Sequence, residues 1–148
     1  MPRIRLPLIP RGVRVAAVAL VALVILRYSV VPAPGSGTFR TGPFGLLGYS
    51  TWLHLLAYGG LAAAAAYALH DSPRPDWQVL GVVFLAVAAY GIGIELLQST
   101  LTARTAAYGD VLTNASGAGL AVVAWRIVTR YVRFYRVRRV ADLRVPVE

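Results

Sequence analysis

The chain has 148 residues, 57% of them apolar, with no cysteine and a formal charge of +9 in which every basic residue is arginine. Without cysteine there are no disulfides and no thiol chemistry. Four apolar runs consume nearly the whole length, so no segment remains for a separate soluble domain. Nucleic-acid binding, the usual reading of so basic a chain, is disfavoured because the arginines flank the apolar runs and form no stripe.

The runs are Val13–Val31, Leu46–Leu69, Trp77–Leu97 and Val111–Val128. A hydrocarbon core of about 30 Å takes about 20 apolar residues of helix to cross, so each run can span. Runs rich in Leu, Ala and Val read as helices, which satisfy their own backbone groups in lipid. The expectation is an all-α integral membrane bundle of four transmembrane helices. It occupies residues 13–129, between a basic N-terminus (1–12) and a basic tail (130–148). The first run has an alternative reading as a cleaved signal peptide, since Arg3, Arg5, Arg11 and Arg14 precede it. Its length and the neighbouring Pro32 favour a retained helix.

Connections follow from turn-forming residues. Between the first two runs, 32–45 is rich in Pro and Gly and cannot continue a helix. Its Phe39 and Phe44 suit a membrane surface. The short link Asp71–Asp76 makes the second and third helices antiparallel neighbours. After the fourth run, Thr129–Val140 interleaves arginine with Tyr131, Phe134 and Tyr135. This basic amphipathic segment can lie along an anionic lipid surface, where each arginine contributes about 1 kcal/mol.

Arginine also sets the orientation, because it gathers in cytoplasmic loops. Arg3, Arg5, Arg11, Arg14, Arg74 and the tail arginines share one side, against only Arg40 and Arg104 on the other. Both termini are therefore expected in the cytoplasm. Trp52 and Tyr108 would mark the outer interface, and Trp77 and Trp125 the inner one.

Against this frame the intramembrane polar residues sort by depth. His54 lies near the outer end of the second helix, Glu95 and Gln98 in the last outer turns of the third. Asp110 and Asn114 open the fourth, and Arg104 sits in the loop between. Glu95 with Gln98, Asp110 with Asn114, and His54 with Tyr58 are three or four residues apart, so each pair shares a helix face. Nearby small residues, Gly91, Gly117, Ala118 and Ala121, permit close helix approach. Charged groups inside a membrane cost about 2.5–3.5 kcal/mol at mid-span, so these should turn inward and pair. Bland readings compete: Asp110 as a helix N-cap, Gln98 and Asn114 as interhelical glue, and Arg27 as a snorkelling side chain or a partner of Glu95.

The segment Trp52–Leu61, then Glu95-Leu-Leu-Gln98, Arg104, Asp110-Val-Leu-Thr-Asn114 and Gly117-Ala118 resembles the VanZ-like family of small membrane proteins, over roughly residues 50–125. Members commonly carry an Asp-Lys pair where Ser50 and Thr51 stand here. The resemblance marks His54, Glu95, Gln98, Arg104, Asp110 and Asn114 as signature positions and implies a cell-membrane protein, in a family whose namesake is associated with resistance to the lipoglycopeptide teicoplanin but whose members are not thereby expected to confer it. Two functions lead, ahead of a structural or assembly subunit whose polar cluster only locks helices together and of a transporter, for which repeat halves and a midplane site are lacking. A non-catalytic module would bind a lipid headgroup or lipidated amphiphile in an outward-facing pocket. An intramembrane enzyme would act on a lipid-linked substrate with His54, Glu95 and Asp110 as acid–base groups. No cofactor or metal is expected, because the second histidine, His70, lies at the far end of the same helix and His54 would need Glu95 and Asp110 as co-ligands.

Overall fold

The computed structural model describes residues 4–31, 41–101 and 108–136. Helices α1 (Arg11–Val30), α2 (Tyr49–Ala68), α3 (Asp76–Ser99) and α4 (Tyr108–Tyr131) match the four apolar runs, each extending two or three residues into the flanking sequence or stopping slightly short of it. Three of them, α1, α3 and α4, are long and apolar enough to cross a membrane. Helix α2 is as long as α1, but His54, its tyrosines and its Gly59-Gly60 pair dilute its apolar character.

That dilution matches its position. Helix α2 packs on α1, α3 and most extensively on α4. It contributes Tyr58, Leu61, Ala62 and Ala66 to the core, where they meet Ile25, Leu80, Val83, Val87 and Ala118. The core is narrow because small residues line it: Ala62 and Ala118 are fully buried. A Cβ on Gly117 would stand 2.6 Å from the Leu55 carbonyl oxygen, and one on Gly59 would stand 3.3 Å from the Gly117 carbonyl oxygen. The two backbones touch there. Outward faces are apolar, with Leu20, Leu85, Leu96, Leu112 and Leu120 all exposed, as helices surrounded by lipid require.

The described segments nearest the two ends of the chain meet at one end of the bundle. The segments Ile4–Leu8 (β1) and Val132–Arg136 (β2) pair as parallel strands, with Leu6 opposite Phe134. The described start of the basic tail is therefore a strand against the N-terminal segment, while residues 129–131 belong to α4 and the remainder of the expected amphipathic segment, from 137 onward, lies outside the described residues. The apolar-basic-apolar triplets Ile4-Arg5-Leu6 and Val132-Arg133-Phe134 have the period of two that a sheet needs, although Tyr135 breaks the pattern in β2. Pro7 is tolerated because a two-stranded sheet has only edges.

The sheet is fastened by aromatic rings. Phe134 packs on His70 at 4.8 Å, Tyr67 at 5.4 Å and Trp125 at 5.8 Å between centroids. Burial in this cluster pushes the His70 imidazole below its ordinary value; Asp76 and Asp71 oppose the shift and Arg14 reinforces it. The unfolded chain then binds the proton more readily than the folded one. Stability from His70 is full above about pH 6.5 and declines as pH falls through the folded value. We expect a lower thermal midpoint at acidic than at neutral pH, and part of that difference should vanish in His70→Phe.

Beneath the cluster lies Arg14, whose place in the sequence signals only orientation or a leader. It is 3% exposed. Nη1 donates to the Tyr67 and Ala68 carbonyls, each at 2.9 Å, Nε to the Ile9 carbonyl at 2.8 Å, and Nη2 to Asp71 Oδ2 at 2.9 Å. The last carbonyls of a helix lack intrahelical partners and carry partial negative charge. A guanidinium here satisfies two of them while joining α1 to the end of α2.

Candidate functional site at the opposite end of the bundle

Four of the six polar residues expected to form a site converge at the end of the bundle away from the termini. His54 is in the second turn of α2, Glu95 one turn from the end of α3, and Asp110 and Asn114 in the first two turns of α4. His54 Nδ1 lies 2.8 Å from Asn114 Oδ1, and His54 Nε2 lies 4.0 Å from Asp110 Oδ2. One ligand atom from each of His54, Glu95 and Asp110 falls within 4.8 Å of the other two.

Local sequence explains the convergence. The α2–α4 glycine contact lies one turn below His54 and Asn114, so the backbones cannot diverge before reaching them. Gly91, one turn before Glu95, leaves room for the Tyr58 ring and the Asn114 side chain: a Cβ there would meet the ring at 3.0 Å, Asn114 Cβ at 3.2 Å and its amide nitrogen at 3.4 Å. The Tyr58 ring stacks parallel to His54 with centroids 6.3 Å apart. Asp110 sits in the first turn of α4, where the helix dipole favours a carboxylate.

The hydrogen bond to Asn114 organises the imidazole. An amide oxygen only accepts, so Nδ1 carries the proton. The other nitrogen, Nε2, then faces the carboxylates. Protonated, it would pair with Asp110; unprotonated, it offers a lone pair to a proton or a cation. Glu95 and Asn114 are buried, at 5% and 1% exposure, while His54 and Asp110 are partly open. The site therefore has a closed floor and an open rim.

The remaining expected residues divide. Gln98 is buried, and its Nε2 donates to the Ser29 carbonyl of α1 at 3.0 Å, so its amide nitrogen ties α3 to α1. Arg104 lies outside the described residues, as do Phe39, Arg40 and the tail from 137 onward. Arg27 is exposed on α1 and makes no ion pair with Glu95 among the described residues. A separate cleft at the terminus-bearing end, between Leu69, His70, Asp76 and Trp125, has a volume of about 30 Å³. That suits two water molecules at most.

No family model matches the chain, and no curated protein or solved structure compared with it matches either.

Proposed function

We propose that the chain is a VanZ-like, multi-pass protein of the cell membrane whose polar pocket binds the headgroup of a lipid or a lipidated amphiphile from the extracellular side. The observation that carries this reading is the convergence of His54, Glu95, Asp110 and Asn114 at one end of an otherwise apolar bundle. A buried carboxylate and amide are costly in lipid, and a cluster of them with an open rim suits a polar guest whose acyl chain lies between helices. Helix α2 serves as the fourth span, with its less apolar surface shielded by its neighbours. The arginine-rich end, with both termini, faces the cytoplasm and its anionic lipids, which puts the pocket outside. The VanZ-like resemblance adds teicoplanin as a candidate guest.

A second reading as an intramembrane enzyme on a lipid-linked substrate draws on the same geometry. His54 Nε2 lies 4.0 Å from Asp110 Oδ2, and the imidazole and both carboxylates are close enough to exchange a proton through one bridging water.

Binding is tested with purified protein in lipid nanodiscs, titrated with teicoplanin and with its deacylated form. The acylated compound should bind more tightly. Glu95→Gln should weaken it by at least about tenfold, the loss of one charged hydrogen-bonding group, while helical content stays unchanged. Equal affinity for both compounds, undiminished in Glu95→Gln, would exclude the pocket as their site. Release of product from a lipid-linked phosphate, lost in both His54→Ala and Glu95→Gln, would favour the enzyme.

A further inference from the structure

We propose that His54 Nε2 and the carboxylates of Glu95 and Asp110 form a divalent metal site, suited to a cation of the Zn²⁺ or Mn²⁺ class, with an open coordination position toward the pocket. These three donors come from three different helices, yet one ligand atom of each lies within 4.8 Å of the others. Metal bonds to nitrogen and oxygen of about 2.0–2.2 Å set donors roughly 3.4 Å apart in a tetrahedral site. The present spacing therefore needs a closure of about 1.4 Å or less, within the reach of side-chain adjustment. Two carboxylates balance a dication in a region where charge is otherwise costly. One imidazole with two carboxylates fits Zn²⁺ or Mn²⁺; the imidazole disfavours Mg²⁺ and Ca²⁺, and the lack of any thiolate disfavours softer ions.

Two further observations point to a ligand. The first is Asn114 Oδ1 on His54 Nδ1, at 2.8 Å. Metal-binding histidines almost always donate their other ring N–H to an oxygen, which fixes the tautomer and aims the remaining lone pair at the ion. Asn114 is 1% exposed, so this orienting contact is built into the core. The second is a pair of buried donors. Tyr58 Oη and Asn114 Nδ2 have no hydrogen-bond partner among the described residues. Tyr58, 2% exposed, stacks its ring parallel to that of His54, with centroids 6.3 Å apart. Buried donors without acceptors are costly. A water, hydroxide or phosphate oxygen on the cation's remaining position would supply one.

The site goes beyond amphiphile binding and stands whether or not that reading holds. Full-length protein in detergent, stripped with a chelator and carrying ¹⁵N-histidine, is titrated with Zn²⁺ alone. The chain has only two histidines, and His70 at the other end of the bundle serves as an internal control. We expect the His54 Nε2 resonance to shift and saturate at one cation per chain, with His70 unmoved and Mg²⁺ unable to compete. Asn114→Ala should weaken binding by about 10- to 100-fold, the usual effect of removing an orienting partner. Asp110→Asn, a conservative change at a partly open position, should weaken it at least as much. The proposal is overturned if both histidines respond alike, if Nδ1 is the nitrogen that shifts, or if Asp110→Asn binds Zn²⁺ as tightly as the parent. Teicoplanin binding that persists alongside a failed Zn²⁺ titration would remove the metal site alone and leave the pocket reading in place.

Discussion

Arg14→Ala is expected to cost the bundle about 3–5 kcal/mol of unfolding free energy, the range for breaking a buried ion pair by removing one partner. One side chain here donates four hydrogen bonds, to Ile9, Tyr67, Ala68 and Asp71, and its guanidinium lies 5.7 Å over the Tyr67 ring. Removal leaves two helix-end carbonyls without a cation and detaches α1 from the end of α2. It also loosens the strand pairing, because Ile9 directly follows β1 and its N–H is held by Tyr67 Oη. Arg14→Lys should recover only part of the loss, since a single ammonium cannot reach acceptors spread across a planar fork. Reversible unfolding in mixed micelles measures the difference. A loss under about 1 kcal/mol would place Arg14 among ordinary surface charges.

The next largest effect is expected at Gly117. A valine there brings its Cβ to 2.6 Å from the Leu55 carbonyl oxygen and 3.1 Å from the Leu55 Cα. These are backbone atoms of a helix, so no rotamer change relieves the clash and α2 and α4 must separate. Overpacking of a tight core costs about 1–3 kcal/mol, occasionally more. The functional consequence is larger than the stability loss. Asn114 lies one turn before Gly117, and a separation of even 1 Å takes its oxygen beyond hydrogen-bond distance from His54 Nδ1. Gly117→Val should therefore lose binding at the pocket while remaining helical and inserted. Gly60→Ala is the matched control, because a Cβ there meets nothing within 4 Å. Unimpaired binding in Gly117→Val would show that the α2–α4 contact does not hold the site together.

Much of the helical architecture was legible because apolar run length alone dictates it. The four runs anticipated four helices, and the Pro- and Gly-rich segments anticipated where they stop. Helix α2 shows the limit of that logic: its His54, Tyr58 and glycines lower its hydropathy because they do packing and polar work at the centre of the bundle. The grouping of His54, Glu95, Asp110 and Asn114 was legible from depth and spacing. Depth could not separate Gln98 from them; its nitrogen reaches α1, and only the packing of α1 against α3 decides that.

The terminus-bearing end was not legible. Arg14 looks like any arginine flanking a span, and its one sequence cue is position, a full turn inside the first helix with Asp71 as an acidic residue at the same end. The β1–β2 pairing joins residues near opposite ends of the chain, and an alternation of three residues in each strand is too short to announce it. Asn114 as the orienting partner of His54 also needed coordinates, since an amide at helical spacing serves equally well as glue.

The account rests on His54 and Asn114 facing each other inside the bundle, in the membrane. The chain contains no cysteine, so a His54→Cys/Asn114→Cys pair can be introduced into a clean background and oxidised in native membranes. The facing of these side chains, 2.8 Å apart at their tips, predicts more disulfide within one chain for this pair than for His54→Cys/Leu112→Cys, because Leu112 points outward at 70% exposure. Cross-linking at 112 that equals or exceeds cross-linking at 114 would contradict it.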